Sequence, residues 1–524
     1  MDQSVLWDLN LNKRVFICRP SLVVIQKIAE LIRADPIPAY CVVLVDRLQN
    51  FCETELERHG VYGLVTFYEL KLYATPLESD LFSLELPQPT CKISHDQIGL
   101  TARTLLLIQS LYGLIPVSYG IGEKSQQLET HMKQLFEDEA EPSVTADRPI
   151  SHLFIFDRQL DLPSVLMTGM TYESMLNDNF QYSCGKIIFG DTVESKLKSQ
   201  NSKAKTRVFA LNNSDAIFSA VRDKHMTSVF PFLSSKAKTL QTTLKKVEEM
   251  KNFVSNEFKS LNEDRKNLEL HISASEAIMT ATKGCNDRVA VEHAIVRNEA
   301  DPAQIMDFLE SLICRQHNVW QILQLVCLWS LTYNGIPSKH YQTFRTLFLH
   351  AYGYEHIISL YSLQLHGYLV EQNSSLLNTS INALPNQSPK KRSIISSGFN
   401  QLSKTLNLCP KANEKRSDGS YVFSDAYLPV IVSLLDQLVT EGWQPSLIQK
   451  AFGAETPHFC SNPAVSKPDK RIRKAILVCF LGGVTHAEIA SIHRFAHDNN
   501  FRIIILTTHI INREAFIRSF TEII

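Results

Sequence analysis

No run of this sequence stays apolar over the roughly 20 residues that a bilayer-crossing helix needs. The most apolar stretches, Val319 to Tyr333 and Ile503 to Ile511, are shorter, and Gln321 and Gln324 interrupt the first. No C-x-x-C pair occurs among the 11 cysteines, which are scattered singly from Cys18 to Cys479. A chain of 524 residues does not need covalent staples, so these read as reduced thiols, mostly buried. Glycine is scarce at 19, and none forms a G-x-G-x-x-G or G-x-x-x-x-G-K-S/T loop, which excludes the usual backbone cradles for dinucleotides and nucleoside triphosphates. An excess of charge is missing as well: Lys+Arg number 53 against Asp+Glu 54, for a net charge of −1. The long-range field of a dedicated nucleic-acid binder is therefore absent. Asp2 and Asp8 precede Lys13 and Arg14, the reverse of a secretory leader. These absences lead us to expect a soluble protein of roughly two to four domains, made in the cytosol.

What is present begins with short β-branched runs. Val15 to Cys18, Cys41 to Val45 and Gly63 to Phe67 are apolar on consecutive positions, as expected of strands buried on both faces of a parallel sheet. Between the first two, Leu22, Ile25, Ile28, Ala29 and Ile32 recur at helical spacing after Ser21, a suitable N-cap. A helix from about Asp96 to Tyr112 follows, and then the acidic run Glu137 to Pro142, which reads as solvated loop. A further strand at His152 to Phe156 leads into Asp157-Arg-Gln-Leu-Asp161. Similar strands return only at Ala475 to Phe480 and Arg502 to Leu506, separated by a helix from about His486 to Asp498, a pattern that implies a right-handed parallel crossover. If these three strands share a sheet, the helix-rich region between them is an insertion into a discontinuous α/β domain.

Inside that region the sequence predicts one long helix. Steps of four and three from Leu240 reach Leu244, Val247, Lys251, Val254, Phe258, Leu261, Arg265, Leu268 and Ile272, an apolar seam with no Pro or Gly in it. Further helices are expected over about 303–333 and 341–368. From Glu371 to Ser397 the composition shifts to Asn, Ser, Pro and Lys, which reads as a surface loop.

Candidate chemistry is sparse. Asp157 and Asp161 beside Arg158 would suit a carboxylate site at a strand end, where open α/β sheets hold ligands; the preferred reading is that they cap the strand and knit the domains together. His486, His493 and His497 near Glu488 lack the H-E-x-x-H spacing of a zinc site, and His493 and His497 are expected on a solvated helix face. Leu481-Gly-Gly-Val484 reads as a tight strand-to-helix turn. Lys467, Lys470, Arg471, Arg473 and Lys474 could touch anionic headgroups, although a solvated turn is preferred. No G-x-S-x-G motif occurs and no cysteine stands in a nucleophile context, so no catalysis, cofactor or metal is expected.

Several motifs in order resemble those of one family. Phe156-Asp-Arg-Gln-Leu-Asp-Leu162 with Met170-Thr-Tyr-Glu173 resembles the signature of the Sec/Munc (SM) family of SNARE regulators. Phe480-Leu-Gly-Gly-Val-Thr-His-Ala-Glu-Ile489 with Arg494, and Tyr352-Gly-Tyr-Glu-His-Ile357, are similar to its vacuolar protein sorting class. Cys184-Gly185 after Asp178-Asn-Phe180, and Leu506-Thr-Thr508, look most like the metazoan B-type branch.

The resemblance implies a three-domain arch, α/β with an all-α insertion. Domain one would span 1–92, domain two the discontinuous α/β pieces 93–206 and 366–524, and domain three the helical insertion 207–365. Family members usually carry some tens of residues before the strand at Val15, so domain one is expected to be shortened at its N-terminal side. The implied activity is assembly: the arch holds SNARE helices, and a helical hairpin of domain three offers them a groove. That assigns SNARE binding to Leu240, Leu244, Val247, Val254, Phe258 and Leu261. A helix-rich, Vps-sixteen-like partner subunit would dock at Arg345, Tyr354 and Ile357. Membrane association is expected through such partners, on late endosomes and lysosomes or recycling endosomes. The alternatives are a hydrolase or transferase using Asp157 and Asp161, and a scaffold that binds its partner subunit but no SNARE.

Overall fold

The computed structural model describes residues 13–34, 39–86, 94–139, 141–143, 149–190, 208–249, 255–283, 286–372, 397–410, 419–462, 468 and 474–521. Contacts divide the chain into two units, one ending at Thr75 and one beginning at Pro76. The first boundary therefore falls at Thr75 rather than near residue 92, because Leu81–Ser83 pairs with Arg502–Thr507 in the sheet of the second unit.

The first unit is built from β1 (Lys13–Cys18), α1 (Leu22–Ala34), β2 (Ala39–Val45), α2 (Asn50–Arg58) and β3 (Val65–Leu70). The strands are parallel and lie in the order β1–β2–β3. Right-handed crossovers in a sequential order lay both helices on the same face of the sheet. Ile25, Ile28, Ala29 and Ile32 of α1 and Cys52 and Leu56 of α2 accordingly pack on Phe16, Tyr40, Val42 and Leu44, the inward-pointing residues of alternate positions. The expectation of strands buried on both faces is corrected here: Val15 and Ile17 point the other way and are exposed. The third strand starts at Val65, later than predicted, since Tyr62–Leu64 forms a turn of 3-10 helix.

In the second unit the three separated strands do share one sheet, as predicted. Its order is His458–Cys460, Val117–Ile121, Ile150–Asp157, Ala475–Leu481, Arg502–Thr507, Leu81–Ser83 and a two-residue edge strand, Thr75–Pro76. Val478 lies opposite Phe154 on one side and Ile505 on the other, in parallel register. The crossover helix is His486–Asn499, entered through Gly482 and Gly483, whose φ values of +99° and +92° only glycine adopts without strain. A Cβ on Gly483 would also come within 2.5 Å of Ile511. Helix His95–Tyr112 runs where expected, but the acidic run is not all loop: Glu137–Glu139 closes a helix that begins at Glu123.

Helices Pro302–Cys314, Val319–Thr332, Ser338–Tyr352 and His356–Leu365 pack into the same apolar core as the sheet. The predicted seam helix is corrected to a pair of helices, Met226–Glu249 and Ser255–Ala281, packed against each other. Their shared base, Val229 and Leu233 with Leu268, Ala274 and Ile278, is buried. The two helices meet through this base, so an unbroken apolar pattern does not require one continuous rod. Most of the Glu371 to Ser397 stretch lies outside the described residues.

One-sided burial in the first unit gives a direct test. Ile28→Ala, on the covered face, is expected to cost about 2–5 kcal/mol, whereas Ile17→Thr on the open face should change stability by no more than about 0.5 kcal/mol. Hydrogen–deuterium exchange of β2 reads both; equal losses would show that the two faces are equally packed.

Candidate functional site

The strand end that could hold a ligand is filled by the protein itself. Arg158 is fully buried. Its Nη1 donates to both carboxylate oxygens of Glu488 at 2.7 and 2.8 Å, and its Nη2 donates to the Asp161 carbonyl and lies 3.8 Å from Asp161 Oδ2. Asp161 in turn accepts from Ser164 N and Oγ (3.1 and 2.7 Å), Tyr427 OH (2.9 Å) and Val430 N (2.9 Å). Glu488 also accepts from the amide and hydroxyl of Thr485 at 3.0 and 2.9 Å, closing a capping box at the start of the crossover helix. Every one of these carboxylate oxygens already faces a donor, which leaves none directed at a substrate.

Asp157 faces away from this cluster. It accepts from the amides of Gln159 and Lys124 at 3.2 and 3.3 Å, and burial pushes its carboxyl up from 3.8 to about 6 against those two bonds. Gly122 makes room for it, since a Cβ there would sit 2.5 Å from the Asp157 Cβ. The strand-capping half of the preferred sequence reading matches this geometry, but the charges do not knit domains together: their partners Lys124, Ser164, Tyr427, Val430 and Glu488 all lie in the α/β pieces 93–206 and 366–524.

The histidines do not converge. His486 is buried against Tyr182, with ring centroids 5.2 Å apart, and burial lowers it to about 3. His497 is exposed. His493 does not lie on a solvated face as predicted: its Nδ1 is 2.9 Å from Asp223 and its Nε2 3.5 Å from Asp80. Burial opposes charge on His493, but these two carboxylates prevail and hold it above its usual value. Among the described residues no group of three or more His, Cys, Asp or Glu could hold a metal. A cleft of about 690 Å³ opens here, lined by Asp80, Arg222, Asp223, His493 and Arg494. Its charges pair within the protein: Arg222 with Glu78 and Glu173, His493 with the two aspartates, Arg494 with Asp498.

Tyr172 and Glu173 anchor the helical pair. Tyr172 OH lies 2.9 Å from His271 Nδ1, and His271 Nε2 lies 3.1 Å from Asp215, which caps the helix Ala216–Val221. Glu173 accepts from Arg222 Nη2 at 2.7 Å and from Tyr182 OH at 2.8 Å. Of the six seam residues, Leu240 is half-buried against this core and Leu261 is half-buried. The side chains of Leu244, Val247, Val254 and Phe258 lie outside the described residues, as do Lys467, Lys470, Arg471 and Arg473 of the basic cluster.

The residues expected to meet a partner subunit are at the surface. Helix Ser338–Tyr352 carries Arg345, exposed, and ends at Gly353 with φ +105°. The next helix, His356–Leu365, buries Leu360 and Leu363 in the core that also holds Phe516 and Phe520 of the helix Arg513–Thr521. Its opposite side is apolar too. Tyr354, at 63% exposure, and Ile357 are joined by Ile358, Tyr361 and Leu365. Spacings of three and four place these on one helical face. Ile358, Tyr361 and Leu365 were missed because a helix apolar all round gives no amphipathic signal. The continuation of the Tyr354 row at positions 358, 361 and 365 could have revealed them.

Among the described residues no helix is long and apolar enough to cross a membrane. The buried cluster generates two tests. Arg158→Met leaves two carboxylates without their cation, and a loss of about 3–5 kcal/mol is expected in urea unfolding; a hydrolytic site would instead keep its stability and lose turnover. Asp157 binds its proton more tightly in the folded than in the unfolded chain, so its contribution is full below about pH 4 and is lost as the pH rises through 6. Relative to Asp157→Asn, the wild type should gain about 2 kcal/mol on going from pH 7.5 to 4.5. A flat difference would show the carboxyl to be unshifted.

The Sec1 family model matches residues 5–519. The chain is 30% identical to vacuolar protein sorting-associated protein 33B of Caenorhabditis elegans, over 98% of this chain and 86% of that protein. Among solved structures it resembles Unc18 in the Unc18–syntaxin 1 complex of Monosiga brevicollis, with a TM-score of 0.64 at 16% identity over 97% of this chain and 87% of that one. It also resembles the SM protein Vps45 in complex with the Qa SNARE Tlg2, with a TM-score of 0.62 at 15% identity over 96% and 85%. The motifs at the strand end, the full-length match and the shared fold agree, and the chain belongs to the Sec1 family, on its vacuolar protein sorting side.

Proposed function

We propose that this chain is a SNARE-binding regulator of vesicle docking and fusion in endosomal and lysosomal trafficking. It acts with a helix-rich, Vps-sixteen-like partner subunit, as a cytoplasmic protein held on late endosome, lysosome or recycling endosome membranes through its partners. The observation that carries the partner is the exposed apolar row Ile357, Ile358, Tyr361 and Leu365, on a helix whose other side is already buried, with Tyr354 exposed in the turn before it. An apolar row of this kind on a rigid helix is the surface that helix-in-groove recognition uses, and Arg345 on the preceding helix supplies an exposed cation beside the row's start in sequence.

The SNARE limb of the reading rests on family membership and on relatives captured with syntaxin 1 and with a Qa SNARE. The helical pair Met226–Glu249 and Ser255–Ala281 is the surface assigned to it, and its base is tied to the rest of the unit through Tyr172 and His271. On this reading the second unit comprises a discontinuous α/β domain and the helical insertion 207–365, and domain one ends at Thr75.

Two variants separate the limbs. Tyr354→Asp or Ile357→Lys places a charge in the centre of the docking row and is expected to abolish co-purification of the partner subunit, a loss of about 2–5 kcal/mol. Because both side chains are exposed, the melting temperature should stay unchanged. Leu261→Asp with Phe258→Asp should reduce capture of SNARE motifs by the purified complex and leave the partner subunit bound. Undiminished partner binding by a folded Tyr354→Asp chain would refute the first limb, and undiminished SNARE capture the second.

A further inference from the structure

The two ring nitrogens of His493 meet carboxylates from two distant segments of the second unit. Asp223, between the helix Ala216–Val221 and the helical pair, lies 2.9 Å from Nδ1. Asp80, immediately before the strand Leu81–Ser83, lies 3.5 Å from Nε2. A neutral imidazole carries one N–H and an imidazolium carries two. Only the charged ring can therefore turn an N–H to both carboxylates, while the neutral ring turns a lone pair to one of them. The shorter contact decides which: Nδ1 keeps its hydrogen for Asp223, and the lone pair of Nε2 faces Asp80.

We propose that His493 is a proton-operated clamp on the loop 77–81: the imidazolium holds Asp80, and loss of its proton lets the loop open while Asp223 stays bound. The rest of the loop is tied at other points. The amides of Leu77 and Glu78 donate to the Leu81 carbonyl, and the amide of Ile505 donates to the Asp80 carbonyl. Glu78 pairs with Arg222, so the Asp80 carboxylate is the tie that a proton on the crossover helix controls. Neighbouring charges set the sign. Burial and Arg222 oppose charge on His493, Asp223 and Asp80 favour it, and the carboxylates prevail. Arg494 and His497 face Asp498 on their own helix, and Lys224 Nζ lies 5.2 Å from the centre of the Phe232 ring. Tyr421 donates to the Asp223 carbonyl at 2.8 Å, and burial keeps its hydroxyl neutral. Glu173, which burial pushes up to about 8, faces Arg222 rather than the imidazole, and burial lowers His486 to about 3. Because the closed loop binds the proton on His493 more tightly than the unfolded chain does, the clamp is fully set below about pH 6.5. It is lost as the pH rises through the higher folded value.

Hydrogen–deuterium exchange of the full chain at about pH 6 and 8.5, scaled for the intrinsic exchange rate, tests the clamp. Amides at 77–84 are expected to open about two- to fivefold more often at the higher pH, the range for a partly exposed ion pair, and those at 216–226 to stay unchanged. His493→Gln and Asp80→Asn should each open the loop equally at both pH values. Ring NMR, with the His493 signal identified by its loss in His493→Gln, should show titration above 6.5 that falls in Asp80→Asn. If His493→Gln lost its fold, Asp80→Asn, at a partly exposed site, would carry the exchange measurement alone. A pH dependence that persisted in the folded variants would assign it to Asp157 or Glu173 and overturn the proposal. So would titration of His493 at or below 6.5, or equal loosening of 77–84 and 216–226.

Discussion

A guanidinium without water around it must find its charge and hydrogen-bond partners inside the protein, and the position of Arg158 depends on that requirement. Leaving it unpaired would cost several kcal/mol, so Glu488 has to arrive opposite it, 330 residues further along the chain. Asp161 has to turn back beneath it, and Tyr427 and Val430 have to complete Asp161. One buried cation thus ties together a strand, the crossover helix and a loop from a third region. The sheet register, with Phe480 opposite Phe156 and Leu481 opposite Asp157, brings the partners to the same level.

The family signature takes on a physical meaning in this light. The Asp-Arg-x-x-Asp segment supplies the buried cation and the carboxylate that holds it, and Thr171-Tyr172-Glu173 supplies a helix cap, a contact to His271 and a seat for Arg222. Tyr172 and Glu173 tie the inserted helix Ser255–Ala281 and the segment around Arg222 to the chain that follows the 150–157 strand.

Much of this was legible in the sequence. Consecutive apolar residues marked Ile150–Asp157, Ala475–Leu481 and Arg502–Thr507, and they marked them correctly because a central parallel strand is buried on both sides. The same pattern misled at Val15 and Ile17, where composition is identical but both neighbouring helices lie on the other face. That the seam belongs to two helices packed on each other was illegible because neither Gly nor Pro interrupts it and the apolar pattern runs on in phase. The helix over Glu123–Glu139 was passed over at its acidic end, where charge suggested loop, although an exposed helix terminus tolerates such residues. At the exposed apolar row, the family resemblance pointed to Tyr354 and Ile357, while the exposure of Ile358, Tyr361 and Leu365 needed knowledge of which side Phe516 and Phe520 occupy.

The long separation between Ile150–Asp157 and Ala475–Leu481 also sets a schedule for biosynthesis. At about 5–20 residues per second, the ribosome needs roughly 15 to 70 s to make the 330 residues between Arg158 and Glu488. Throughout that interval the 150–157 strand has one neighbour, Val117–Ile121, and an open edge of unpaired amides and carbonyls where the 475–481 strand will later bind. The first unit, with its own core, can close while this edge waits. A chain of this architecture keeps that edge open while it is half-made, and the order of its strands fixes how long the exposure lasts.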